Sequence, residues 1–385
     1  MKTYQSGFLA PYAVNVFKNK LTCVTLLFFA ALFSSVPKLE AQYSFTDLGL
    51  LPGPPSFGTF GSGINNSGQV AGYSFTLGGT YAMIDSAGVM SSIGGLGGSY
   101  RYGRGINDAG QVTGDSTTPQ GDEYAHAFIY SGGVMHDLGT LAGATASFGA
   151  AINSAGQVAG YSDPPGGGWH AFLYSSGVMT DLGSFGGPNT YGRGINDAGQ
   201  VTGNSDTLVG STHAFINSGG VMSDLGTLGG KSSTGYGIND SGQVTGQSNT
   251  PGGDAHAFVY SSGVMSDLGT LGGVSSIGYG INDFGQVVGS SDIFGGGAHA
   301  FIYTAGVMND LNSLVFSPGW ILQQATGIND SGQIVGTARD ANSQAHAFLL
   351  TPTYPTHVPD SSNSVLLLGC GLVSLALLRR FLVAA

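Results

Sequence analysis

The stretch "YGINDSGQVTG", residues 236–246, decides how the whole chain is read. It returns as "RGINDAGQVTG" at 104–114 and at 193–203, and as "YGINDFGQVVG" at 279–289. Aligning the chain on itself gives seven copies of its Ile-Asn pair, beginning at Ile64, Ile106, Ile152, Ile195, Ile238, Ile281 and Ile328 and spaced 42 to 47 residues apart. A period in the forties points to four-stranded units arrayed as the blades of a propeller.

Composition agrees. The 385 residues include 68 glycines and only 9% charged side chains, and no run has the spacing of an amphipathic helix. Valine, threonine, tyrosine and phenylalanine between glycine-rich turns are the makings of an all-β protein.

One unit reads strand by strand. "TGYGIN" is a strand, "DSG" a tight turn, "QVTGQS" the returning strand, "AHAFVYS" the third, "SSG" a second turn and "VMSDLGTL" the fourth. Asn suits the first turn position because its side chain bonds back to the backbone, and Gly the position of positive φ. The folded region opens with "YSFTDLGLL", a fourth strand with no unit before it, and its last unit stops at "AHAFLLTP", with no fourth strand after it. The expectation is an all-β, seven-bladed β-propeller over 42–351 whose N-terminal strand completes the last blade and so leaves no open edge. "GIN" is then innermost, its small residues fitting a crowded axis.

The "HAF" units, as in "AHAFIYSGGVMHDLGTLAG" at 125–143, resemble the HAF repeats of a family of extracellular proteins, over roughly residues 43–350. The resemblance implies architecture and location, and no general activity.

Both ends differ from the middle. Lys18 and Lys20 precede "LTCVTLLFFAALFSSV", and "LEAQ" offers a cleavage point after Ala41, so 1–41 reads as an export signal, with an uncleaved anchor as the alternative. Removing it leaves Cys370 as the one cysteine and excludes an internal disulfide. At the other end, 352–363 reads as a linker with a short motif, and 364–385 as an apolar transmembrane segment ending in an arginine cluster. Val358, Pro359, Asp360 and Ser361 with Arg379 and Arg380 resemble the VPDSG variant of the PEP-CTERM sorting signals, although Ser362 stands where that variant has glycine and "FLVAA" extends past the arginines. That resemblance implies an exosortase-like protease as partner, transient membrane anchoring, and a cell-surface or extracellular-matrix location.

Between 42 and 360 lie 21 acidic residues against five basic ones, Arg101, Arg104, Arg193, Lys231 and Arg339. Such a balance disfavours nucleic acid and anionic lipid.

Six histidines share one repeat position. In the first unit Tyr81 replaces the histidine and Ser92 the aspartate, so the two types disappear together. Third and fourth strands are neighbours, which predicts six structural pairs: His126 with Asp137, His170 with Asp181, His213 with Asp224, His256 with Asp267, His299 with Asp310, and His346 with Asp47 across the closure. Sharing a metal among histidines of different blades is excluded by distance. The turn aspartates Asp108, Asp197, Asp240, Asp283 and Asp330 raise the question of calcium, but each turn offers one carboxylate where such loops need several oxygens, and Asn66 and Ser154 replace it in two units. No cofactor is therefore expected, with calcium at these turns as the minor alternative.

No nucleophile elbow, metalloprotease motif or phosphate loop occurs, which argues against an enzyme. Variation collects instead in the loops after the second and fourth strands: "STTPQGDEY" with Asp122 and Glu123, "SDPPGGGW" with Asp163 and Trp169, "SDIFGGG" with Asp292 and Phe294, and the exits carrying Tyr100, Arg101, Phe148 and Lys231. These form the expected ligand face, suited to a glycan or a protein surface. The expected function is an exported binding or structural module. The alternatives are a polysaccharide hydrolase or lyase using the same face, and a display protein that binds nothing.

Overall fold

The computed structural model describes residues 42–53 and 55–353. The leader expected at 1–41 and the sorting residues from Val358 to Arg380 lie outside the described residues. No helix among the described residues is long and apolar enough to cross a membrane, and the one helix is the single turn Leu311–Leu314.

The described chain is all-β and propeller-like. Five sheets each hold four antiparallel strands in sequence order, spanning 101–137, 147–181, 186–224, 233–267 and 272–310. A sixth sheet holds eight strands. In it the antiparallel strands Ser56–Ile64, Val70–Thr76, Gly79–Ser86 and Val89–Ser92 touch the strands of 321–352 through one parallel pair, Gly58 with Ala345. The N-terminal strand Tyr43–Asp47 pairs antiparallel with Ala345–Pro352, Tyr43 facing Pro352 and Asp47 facing Phe348.

In the quoted unit the strands are Ser233–Ile238, Val244–Asn249, Ala255–Ser261 and Val264–Asp267. Between the first two, Gly242 N–H donates to Asn239 O at 2.9 Å, and Gly242 takes φ +73°. That is a type I turn closed by a left-handed glycine. The "SSG" turn differs: Ser262 and Gly263 both have positive φ, 52° and 86°, which makes it type I′ and matches the twist of its short strands.

The core lies between neighbouring sheets. Phe258 packs with Ile238 and Val244 of its own sheet and with Ala214 and Leu225 of the preceding one. The phenylalanine of each "HAF" is fully buried, Phe128, Phe172, Phe215, Phe258, Phe301 and Phe348 alike. Burying one such side chain stabilises by about 2 kcal/mol.

Close approach of sheets explains the small residues of "GIN". A Cβ on Gly237 would lie 2.9 Å from the carbonyl oxygen of Tyr279, on the next sheet. The small residues at this position meet the backbone of the neighbouring inner strand, as a Cβ on Gly280 would meet Thr326 O at 3.2 Å, in keeping with the expected crowding of "GIN".

Candidate functional site: an axial tyrosine and arginine cavity

The asparagine of "GIN" does more than close its own turn. Asn239 Oδ1 accepts from Gln243 N–H at 2.9 Å, its Nδ2 donates to Gln243 Oε1 at 2.8 Å, and the same nitrogen donates to Asn282 O of the next sheet at 3.0 Å. The between-sheet bond repeats from Asn65 to Asn107, on through Asn153, Asn196, Asn239, Asn282 and Asn329, and back to Asn65. Seven buried amides thus form a closed cycle.

Beside that cycle the turn aspartates form an open chain of bonds, which Ser154 N–H enters at Asp197 Oδ1 and Asp330 N–H continues to Asn66 Oδ1. Asp197 N–H donates to Asp240 Oδ1, Asp240 N–H to Asp283 Oδ1 and Asp283 N–H to Asp330 Oδ1, at 2.9 to 3.0 Å. Burial pushes the Asp283 carboxyl up, and its neighbours Asp330, Asp240 and Asp197 push it the same way. These carboxylates hold backbone N–H groups, and among the described residues no three His, Cys, Asp or Glu side chains are grouped to hold a metal ion.

Each of the six histidine and aspartate pairs is brought within hydrogen-bond distance. His170 Nδ1 lies 2.6 Å from Asp181 Oδ2, His256 Nδ1 2.8 Å from Asp267 Oδ2, and His346 Nδ1 2.9 Å from Asp47 Oδ1. The others, His126 with Asp137, His213 with Asp224 and His299 with Asp310, fall between 2.7 and 3.0 Å. The aspartate does double duty, since Asp267 Oδ1 also accepts from Gly269 N–H at 2.7 Å. In the first unit, Tyr81 at the histidine position carries the Arg101 guanidinium over its ring at 4.8 Å.

The expected ligand face is only partly free. The stretch read as a loop at 116–124 is a hairpin, one strand running to Thr118 and the next starting at Gly121, so Asp122 and Glu123 sit on a strand. Arg101 and Phe148 also belong to strands. Arg101 Nη2 donates to Gly98 O at 2.6 Å, and its Nε is buried without a partner. Asp163 accepts from Thr145 N–H, Thr145 Oγ1 and Ala146 N–H, which uses both its oxygens locally. Asp292 accepts from Ser275 N–H at 3.2 Å. Tyr100, Lys231 and Phe294 remain exposed, Phe294 at 90%. Phe148 stacks on Tyr161 at 5.1 Å with Trp169 edge-on to both, which ties the rim to the axis.

At the loop end of the axis lies a cavity of about 310 Å³. Most of its walls come from two repeat positions, and Phe60, Gly61, Gly192 and Gln324 lie three or four residues before the "Ile" of their copies. The residue two before each "Ile" supplies Arg104, Arg193, Tyr236 and Tyr279, and the residue after the "VxG" of the returning strand supplies Tyr73 and Tyr161. Gln324, Thr326 and Thr337 add polar groups on the remaining side. Sequence reasoning missed these residues because it assigned variation to loops. The signal was present: the letter before "GIN" or "AIN" runs Ser, Arg, Ala, Arg, Tyr, Tyr and Thr through copies whose next letters scarcely change.

The two arginines differ. Arg104 Nε donates to Asp115 Oδ1 at 2.6 Å, and although burial works against its charge, the carboxylate outweighs that and raises its pKa. Arg193 Nε donates to the neutral Asn204 Oδ1 at 2.9 Å, and its guanidinium lies over the rings of Tyr236 at 5.1 Å and Tyr191 at 5.6 Å. Arg193 has no carboxylate partner among the described residues. Burial raises the phenols of Tyr73, Tyr161 and Tyr279, so they stay protonated and able to donate.

No protein-family profile matches the sequence, and no curated protein matches it. Among solved structures, the chain is similar to a puromycin-hydrolysing peptidase of Mycobacterium tuberculosis, with a TM-score of 0.50 and 13% identity over 77% of this chain and 52% of that one. It is also similar to TolB from Acinetobacter baumannii, at 0.44 and 13% over 75% and 65%, and to YCF48 bound to D1 peptide, at 0.46 and 11% over 83% and 98%. The chain therefore spans less than two thirds of the length of the first two. At 13% identity the likeness to the peptidase concerns the all-β, propeller-like fold and nothing of its activity.

Proposed function

We propose that the chain is a seven-bladed propeller of HAF-type repeats, exported and held at the cell surface or in the extracellular matrix, that binds a glycan or protein ligand at the loop end of its axis. The closed cycle of seven asparagines supports the blade count. The observation that carries the binding reading is the cavity itself, because most of its walls are drawn from two strand positions that the repeat leaves free to vary.

The reading is of binding without turnover. A glycan-array screen run beside product analysis on the same sugars tests it. Binding with no product supports a recognition module, product formation makes the chain an enzyme, and no binding to sugar or to surface protein leaves a display role. The sorting reading has its own test: mass spectrometry of the mature protein, where an intact "LLRRFLVAA" end would show that no cut is made at "VPDSS".

A further inference from the structure

We infer that the axial cavity is selective for an acidic sugar, a uronate unit whose carboxylate pairs with Arg193; this rests on the binding role proposed above. The first ground is the placement of charge. Only five basic residues occur between 42 and 360, and two of them, Arg104 and Arg193, line this one cavity of a chain with net charge −11. Asp115 neutralises Arg104, whereas Arg193 spends Nε on Asn204 and keeps its outer edge without a carboxylate. A guanidinium that has given up part of its hydration between two tyrosine rings, and has no counter-charge, favours an anion that can take both remaining N–H directions, as a carboxylate does.

The second ground is the wall. Four tyrosines, Tyr73, Tyr161, Tyr236 and Tyr279, supply flat faces for the C–H side of a pyranose ring, and the phenols of Tyr73 and Tyr161, raised by burial, can meet its hydroxyls. Gln324, Thr326 and Thr337 add neutral donors and acceptors. The apolar surface of the lining comes from rings, Phe60 stacked on Tyr73 at 5.1 Å and the other tyrosines, with Ala150 as the sole aliphatic residue, so it suits a flat ring face better than a branched aliphatic side chain. The volume of about 310 Å³ sits at the small end of the range for small-molecule sites, enough for one or two sugar units entering end-on.

The experiment is calorimetric titration of the folded chain with galacturonate and glucuronate oligosaccharides, the matching neutral hexose oligosaccharides, and an acidic peptide with a free C-terminal carboxylate. The expected result is tighter binding of the uronates than of the neutral sugars by tenfold or more, weakening as salt is raised. Arg193→Gln should collapse the acidic-to-neutral ratio to about one, Arg193→Lys should keep part of it, and Arg339→Gln, a cation away from the cavity, should leave it alone. Thermal unfolding of each variant establishes that the ratio is read on folded protein. Equal affinity for acidic and neutral sugars, or a ratio unmoved by Arg193→Gln, overturns the uronate assignment while leaving the binding role intact. Preference for the peptide overturns it in favour of a protein ligand, and no binding by any probe removes both readings.

Discussion

His346 Nδ1 lies 2.9 Å from Asp47 Oδ1, although 299 residues separate them along the chain. In the other five pairs histidine and aspartate are 11 residues apart, on consecutive strands of one hairpin. The same contact thus serves five times as a local clasp and once as the seam between the two ends of the folded region. A double-mutant cycle on His346 and Asp47 should give a coupling of roughly 0.5 kcal/mol, in keeping with a partly exposed pair. Strictly additive losses in chemical denaturation would show that the two side chains do not help each other.

The asparagine cycle should be far less forgiving. Asn239 is 4% exposed and satisfies both its amide N–H groups and its oxygen. Asn239→Asp sets a carboxylate oxygen against Asn282 O and Gln243 Oε1, and the expected loss is about 3 kcal/mol. Asn239→Ala should cost less, because it leaves acceptors unmatched without burying a charge. Denaturation midpoints in the order wild type, Ala, Asp check this, and a wild-type-like Asp variant would contradict it.

Asp85 offers a test with pH. It stands where "HAF" units have Tyr, Asn or Leu, is 2% exposed, and binds Gly88 N–H through Oδ1 at 3.1 Å while Oδ2 is buried with no partner. Burial raises its pKa above the usual 3.8, with the Gly88 bond opposing. A carboxyl raised in the folded state contributes its stability below the unfolded value and loses it as pH climbs through the folded value. Wild type should therefore lose stability relative to Asp85→Asn as pH rises from about 4 toward neutrality, leaving the variant ahead by about 1 kcal/mol at pH 7. Parallel stability curves for the two proteins across that window would defeat the argument.

Gly246 tests the closeness of strands within a unit. A Cβ there would run into Thr234 O and sit 2.9 Å from the Phe258 ring. Gly246→Ala should destabilise by about 2 kcal/mol or more, because backbone rather than a flexible side chain stands in the way. Gly263→Ala at a type I′ turn meets open space and should lose only its positive-φ preference, roughly 1 kcal/mol. Equal losses for the two would mean that space is not what limits Gly246.

Strand order and both turns were legible because each depends on a short local pattern repeated six or seven times, and the pairing of Tyr43–Asp47 with Ala345–Pro352 followed from a fourth strand at the start and its lack at the end. Tyr81 and Ser92 made the histidine and aspartate contacts readable, since both partners change in one copy. The between-sheet bond of Asn239 to Asn282 was not, because turn chemistry accounted for Asn239 without it. The cavity escaped for a related reason. Arg193 and Tyr236 sit inside strands, where a period-two reading asks only which face is buried, and no local pattern says that the inner strands of different units converge on one axis.

Tyr43 facing Pro352 also has a mechanical consequence. The two ends of the folded region leave the same edge side by side, so a load that pulls residues 43 and 352 apart acts across the strand pair and opens its hydrogen bonds one after another, starting with the outermost. Joining those two residues by a short linker while cutting the chain at Gly263 would turn that strand pair into a hairpin closed by a covalent turn.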